Sequence, residues 1–460
     1  SSFVKKISQF KFAKVNYILL EYHSQNKEIS PHKLRNIILS LSNLKHLPES
    51  KNRDLNEIKY INENYKKLLP LFDLLDYKTV LFCGQQYYHH SNLSESLKCS
   101  GWDATIYDWD LNKSAFKHYH YCDVHIQTHL KNNFDEILKY YISCLYRYKI
   151  FHFSNLHGIS FGYIFNNKIT NIFEEYFEIN LLKKLGKKII YTHTGCLDGV
   201  SKSNYNKDSD YIACKDCKWN DDNDICNDKD NLKWGKLRNL LSDYQFCFGA
   251  SLNDFNSEKS IIETPFIYNI NSNLWNPKNS LGKIHERKNG TIYLYHTIAN
   301  KDLRTNKLAR NIKSSHIYIP LINKLREKRN FNLELINPDE ISNKEIRNYI
   351  MKADIVLDML SFGWYGATAR EGLMLGKPVI CYLNPKWVER VKEKFPELVK
   401  ELPIISATKE NVEEKLIFLI ENHQYRKEIG LKSREFALKW HSTKSASKYF
   451  MEFYSSLFDK

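Results

Sequence analysis

ADIVLDMLSFGWYGATAREGLMLGKPVICY, residues 353–382, compresses a strand, a turn, a helix and a second strand into one continuous segment. IVLDML is an apolar run of strand character, FGWYGATAR is a Gly-rich turn opening a helix, and GKP turns the chain into the strand PVICY. Gly363 and Gly366 mark places where the backbone must approach a neighbour closely. The helix that follows offers unpaired N–H groups and the positive end of its dipole, both suited to phosphate. Tyr365, Ala367 and Thr368 stand at that helix start and are candidate contacts of a bound nucleotide. Glu371 falls one turn into the helix. A carboxylate there accepts hydrogen bonds from a ribose diol while the amides hold the adjacent diphosphate. The same carboxylate equally well complements the helix dipole with no ligand involved.

Working outward, the strand-helix rhythm continues in both directions. TIYLYHT, FNLELIN, DIVLDML and PVICYL read as strands, with helices IYIPLINKLREK and NKEIRNYIMKA between them, which gives an α/β domain over residues 283–445. Upstream, KTVLFCGQQ, DATIYDW, KIFHFSN, KKIIYTHTG and YQFCFGA are strands separated by helical segments, so residues 78–282 form another α/β domain with a parallel sheet. Residues 1–77 carry helical apolar spacing and read as a helical appendage. Residues 446–460 read as a terminal helix, expected to cross back and brace the first domain. A chain of 460 residues exceeds what one hydrophobic core usually supports, in keeping with two domains plus an appendage.

Composition narrows the function classes. No apolar run reaches the ~18–20 residues that span a bilayer, and the opening SSFVKKISQF lacks a hydrophobic signal core, so a soluble, cytoplasmic chain is expected. The net charge of +15 suits nucleic acid, an anionic membrane face or phosphorylated substrates. Its Lys and Arg residues are scattered through helices such as LLKKLGKK and WVERVKEKF, which weighs against nucleic acid and for a solvated basic face. Ten cysteines are too sparse for a disulfide framework, and Cys83, Cys99, Cys122, Cys144, Cys247 and Cys381 read as reduced thiols.

Residues 353–382 resemble the donor-binding segment of the large retaining, family-four-like group of GT-B glycosyltransferases. In that group a Glu, seven residues, Glu motif precedes a Gly-Lys-Pro-Val or Gly-Thr-Pro-Val turn. Glu371 matches the second Glu, Gly363 stands at the first, and a subgroup with Gly-Trp-Tyr-Gly at this place is most similar. YHTIANKDLRTNKLARNIKSSHIYIP, residues 295–320, resembles the group's other donor element, in which an Arg and a Lys-Gly-Thr sequence precede a helix. Arg310 and Lys313 are the matches, Ser314 replaces the usual Gly, and Arg304 or Lys307 is the alternative cation. Asn300 and Arg304 join the candidate donor contacts, and a solvated basic loop is the plain alternative. Fixed cations would stabilise the charge that a departing nucleoside diphosphate gains, with no catalytic metal. The resemblance implies two Rossmann-like domains, a UDP- or GDP-sugar held by the second, an acceptor held by the first, and retention.

In open α/β sheets ligands bind beyond the carboxyl ends of the strands, which directs attention to GQQYYHH, FSNLHGISFG and THTGCLDG in the first domain. His157, His193 and Asp198 are the candidates there for approaching the anomeric carbon, although a loop His is more often a surface or structural residue. Cys196, Cys214, Cys217 and Cys226, spaced C-x17-C-x2-C-x8-C, lie in a polar insertion over residues 196–230. Four thiolates close a tetrahedral structural zinc site, with free thiols as the alternative. His118, His120, Cys122, Asp123 and His125 alternate as on a strand, but no second ligand group follows, so they read as a surface strand or loop.

The expected activity is transfer of a sugar from a nucleotide sugar to a glycan, a lipid-linked or another surface-polysaccharide acceptor, as in bacterial polysaccharide biosynthesis. Peripheral contact with an anionic membrane follows from the charge. A nucleotide-sugar 2-epimerase of the same fold is the alternative enzyme. A non-catalytic protein binding nucleotide or nucleic acid, with a zinc insertion, is the alternative outside enzymes.

Overall fold

A computed structural model of the chain describes residues 2–25, 27–84, 88–109, 122–154, 158–196, 198–207, 212–215, 217–222, 224, 226–249, 261–279, 287–297, 313–338 and 341–459. Three helices open it, Ser2–Ser24, Pro31–Ser42 and Lys51–Asp73. Pro31 at the first turn is pre-set for a helix, Ser30 Oγ accepts from the Lys33 amide, and Asn43 in the left-handed region ends that helix. Leu34, Ile38, Ile58, Ile61, Leu68 and Phe72 are buried in the same apolar cluster as Leu81 and Phe151 of the first sheet. The second and third helices meet at a buried carboxylate. Arg35 forks onto Glu57 at 3.1 and 2.8 Å, and Tyr146 OH donates to Glu57 Oε1 at 2.6 Å.

The first sheet has seven parallel strands in the order β3-β2-β1-β4-β5-β6-β7. They are β1 Thr79–Cys83, β2 Asp103–Asp108, β3 Val124–His125, β4 Ile150–Phe153, β5 Lys188–Thr192, β6 Tyr244–Cys247 and β7 Ile261–Glu263. The central ones are apolar almost throughout because helices cover both faces of a parallel sheet. The second sheet has five parallel strands in the order β12-β11-β10-β8-β9. These are β8 Ile292–His296, β9 Leu333–Ile336, β10 Ile355–Leu357, β11 Val379–Cys381 and β12 Ile405–Ser406. The two-domain parallel α/β architecture expected from the strand rhythm is therefore present.

His125 closes the short edge strand β3, where its Nδ1 accepts from the amides of Gln127 and Thr128 at 3.2 and 3.4 Å. Asp123 Oδ2 accepts from Ile106 N at 2.8 Å. Both residues hold strand and turn backbone together, while His118 and His120 lie outside the described residues. The helix Thr443–Ser456 runs back onto the first domain. Ser96 Oγ meets Ser447 Oγ at 2.8 Å, and Ile270 pairs with the backbone of His441 and Thr443 at 2.8 and 2.9 Å. Among the described residues no helix is long and apolar enough to cross a membrane.

Candidate functional site

The carboxyl ends of the two sheets meet around one contact. Tyr88, which follows β1, donates its hydroxyl to Glu371 Oε1 at 3.0 Å. Glu371 stands in the helix Ala367–Met374 and is 8% exposed. Burial pushes its carboxyl up to about 7, against the lowering pull of the Tyr88 hydrogen bond and the Lys313 charge, while Asp358 adds to the rise. Glu371 therefore holds its proton to a higher pH than an ordinary carboxyl. Tyr295 of β8 lies close enough to feel its charge.

Asp358 is the next element of the site, and sequence reasoning missed it. It is the residue directly after β10 and is 1% exposed, a buried acid placed where the strand leaves the sheet. Its Oδ1 accepts from Lys313 Nζ at 3.4 Å and its Oδ2 from the Gly366 amide at 3.3 Å. One carboxylate thus bridges the cation and the helix N-terminus that the sequence offered to phosphate. Lys313 is partly buried beside it, with its side chain 13% exposed.

Ser314 stands where the resembling group carries glycine. Its φ is +61°, in the left-handed region that costs an L-residue ~1–2 kcal/mol. Its Oγ accepts from the Leu360 amide at 2.9 Å, which offsets that strain and pins the helix Ser315–Arg329 to the 358–366 loop. Gly363 has φ +87° and needs glycine for its backbone. Gly366 has an extended backbone that any residue adopts, and a Cβ there would meet Met359 Cε, the end of a flexible side chain, at 3.0 Å.

The remaining turn residues face inward. Tyr365 is 1% exposed and its hydroxyl meets His441 Nε2 at 3.0 Å, so it joins the turn to the chain just before the last helix. Thr368 is buried and Ala367 half-buried. Arg370, 2% exposed, donates to Ile267 O at 2.5 Å and lies over the rings of Phe248, Tyr268 and Tyr365 at 5.4, 5.5 and 5.7 Å. It was not singled out in the sequence because an Arg inside a helix carries no signal of an aromatic cage.

In the first domain His193 follows β5. Its Nε2 donates to Gln245 Oε1 at 3.0 Å, which leaves Nδ1 as the acceptor nitrogen. Burial, then the Arg238 charge, lower it to about 3, so it is neutral. Asp198 is enclosed rather than open to a substrate. Tyr191 OH, Trp234 Nε1 and the Thr194 amide donate to it at 2.9, 2.8 and 2.7 Å, and Arg238 lies at 3.4 Å. Burial alone raises its pKa; Arg238, His193 and these donors outweigh that and hold it below the usual range. Arg310, Arg304, Lys307, Asn300 and His157 lie outside the described residues.

The four cysteines of the insertion are half-buried. Burial and the nearby Cys196 and Cys217 raise the Cys226 thiol. Among the described residues, the group of His, Cys or carboxylate side chains with ligand atoms mutually within 4.8 Å is His89, His90 and His152, while Cys196 and Cys217 lie near enough to Cys226 to act on its thiol. Hydrogen bonds also organise the insertion, with Lys202 Nζ on Asn220 O at 2.7 Å and Gly199 N donating to Asn231 Oδ1, just beyond it, at 2.7 Å. Tyr205 of the insertion packs edge-on against Phe362 and Trp364 at 5.9 and 5.4 Å, so the insertion leans on the Gly-rich turn.

The buried histidine trio does not fit a metal as it stands. His89 Nδ1 accepts from the Tyr268 amide at 3.1 Å and from Asn269 Nδ2 at 2.9 Å, which puts its proton on Nε2 and removes that lone pair. His152 is held on both nitrogens, by Tyr454 OH and Thr192 Oγ1, each at 2.7 Å. These are neutral core histidines, all lowered by burial.

No family model matches the chain, and no curated protein matches it. Solved structures do resemble it. Sucrose-phosphate synthase from Thermosynechococcus elongatus aligns with a TM-score of 0.50 at 11% identity, over 83% of this chain and 99% of that one. A glycosyltransferase from Rickettsia africae ESF-5 aligns at 0.48 and 14% identity, over 83% and 99%. HepE from Anabaena, solved in complex with UDP-glucose, aligns at 0.49 and 12% identity, over 82% and 99%. At these identities the likeness is one of fold, two Rossmann-like domains in the GT-B arrangement.

Proposed function

We propose that this chain is a glycosyltransferase that takes a sugar from a nucleotide-sugar donor bound at the carboxyl edge of its second sheet. The observation that carries this reading is the buried Glu371 carboxyl set between the two domains, one helical turn from the Gly366 amide and close enough to Lys313 to feel its charge. An ionised Glu371 accepts from a vicinal diol of the donor. The diphosphate takes over Lys313 and the helix N-terminus from Asp358, exchanging a carboxylate partner for phosphate. Arg310 and Arg304, with Asn300 beside them in sequence, add cations and a polar contact as the bond from anomeric carbon to phosphate oxygen breaks and charge grows on the leaving group.

The acceptor hydroxyl enters from the first domain, where neutral His193 and His157 are the candidates to line its path. A glycan or lipid-linked acceptor and retention come from the resemblance of residues 295–382 to the family-four-like group. The net charge of +15 supports approach to an anionic membrane that presents such an acceptor.

A thermal-shift screen against UDP-, GDP-, CMP- and ADP-sugars tests the reading. A bound donor at a hundred times its Kd stabilises by about 2.7 kcal/mol, and Glu371→Ala should abolish the rise. No rise with any nucleotide sugar would overturn it. Release of nucleotide with an epimerised sugar, from donor alone, would replace transfer by epimerisation.

A further inference from the structure

Tyr88 belongs to the first domain, yet its hydroxyl ends on a carboxylate of the second. Its ring is 1% exposed and lies 6.4 Å from that of Trp275. The residues after it are anchored within the first domain. His90 Nδ1 donates to Gly84 O at 2.7 Å, His89 Nδ1 accepts from the Tyr268 amide at 3.1 Å, and Asn92 Nδ2 donates to Asn269 O at 3.0 Å. Tyr88 is therefore a fixed point of the first domain.

Resting on the donor role proposed for Glu371, we infer that Tyr88 is a positioning residue which orients the Glu371 carboxylate for the donor diol and ties donor binding to the seating of one domain on the other. An ionised carboxylate offers about four lone-pair sites. Tyr88 occupies one on Oε1 and fixes the plane of the group, leaving the others to hydroxyls of the ligand. Among the described residues, the groups that act electrostatically on Glu371 are Lys313, which favours its ionised form, and Asp358, which opposes it; Tyr295 also feels its charge. A donor that needs the ionised form loses affinity as pH falls through about 7. Removing the Tyr88 hydroxyl withdraws a stabiliser of that form, so the loss should begin at higher pH.

The test compares the full chain with Tyr88→Phe, which keeps the ring and deletes the hydroxyl. Binding of UDP-glucose, GDP-mannose and free UDP is measured by calorimetry across mildly acidic to mildly alkaline pH, alongside a carboxyl-carbon NMR titration of Glu371 without ligand. Expected are an acidic limb displaced upward by about one pH unit, roughly tenfold weaker nucleotide-sugar binding at neutral pH, and a matching rise in the Glu371 titration. Wild-type binding with an unmoved limb and titration in Tyr88→Phe would overturn the inference, even if the variant melts earlier, since a purely structural role changes only the melting. If no nucleotide sugar of the UDP, GDP, CMP or ADP series binds the wild-type chain, the transferase reading falls and takes the donor role with it. The titration alone then decides whether Tyr88 governs Glu371, and an unmoved one removes that too.

Discussion

Arg238 and Asp198 form an ion pair at 3.4 Å in which both side chains are 0% exposed, and the guanidinium also donates to the Asp198 carbonyl. The pair lies where the THTGCLDG turn meets the helix Asp228–Leu241, packed so closely that a Cβ on Gly199 would stand 2.7 Å from the guanidinium. Removing one partner of such a pair leaves an uncompensated buried charge. Asp198→Ala should therefore destabilise the chain by about 3–5 kcal/mol in denaturant unfolding, more than Arg238 and Asp198 gain over a well-packed apolar pair. Because Asp198 has a depressed pKa, its contribution is present above the unfolded-state value and fades as pH falls through the folded one. Asp198→Asn should flatten the acid side of the stability profile.

Histidine burial sets a second pH window. His90 and His296 are lowered to about 4, and His193 to about 3, each first by burial. A base whose folded pKa lies below its unfolded value of about 6.5 binds fewer protons when folded, so stability falls as pH drops below about 6.5. Chemical denaturation at stepped pH should show unfolding free energy declining steadily from that point, by up to about 1.4 kcal/mol per pH unit for each histidine. A flat profile down to pH ~5 would contradict the neutral, buried state of these rings.

Substitution at Ser314 separates backbone strain from the hydrogen bond that compensates it. Ser314→Ala keeps the left-handed strain and leaves the Leu360 amide unpaired, so a loss of about 1–3 kcal/mol is expected. Ser314→Gly loses the same hydrogen bond but relieves the strain, and should fall well short of that loss in the same unfolding assay.

Lys313→Ala should weaken nucleoside diphosphate binding by about tenfold or more, with a shallower dependence on salt. Equal affinity for wild type and variant in calorimetry would remove Lys313 from the donor site.

Much of the architecture was legible because it rests on local periodicity. KTVLFC, KIFHF and KKIIYT are short apolar runs broken by turn residues, and they are strands because a sheet covered on both faces wants such runs. Glu371 and Lys313 were legible as a motif, and strand-end logic drew attention to GQQYYHH. That Tyr88 reaches Glu371, 283 residues away, was not, because pairing across domains depends on how two sheets face each other. Asp358 was hidden inside IVLDML, where a single acid in an apolar run gives no hint of its partners. Among the described residues, the three histidines that gather within ligand distance of one another come from residues 89, 90 and 152, which share no spacing in sequence.

The return of the last helix changes what counts as half of this molecule. Tyr454 supplies a hydroxyl to His152 in the middle of the first sheet, and Phe450 packs over the rings of His89 and Phe246. A fragment ending before residue 283 would present that face bare, and the complementary fragment would carry its cover. The two pieces are thus matched as lock and bolt, and separately produced halves should reassemble on mixing, a route to a split reporter whose signal depends on Thr443–Ser456 finding its seat.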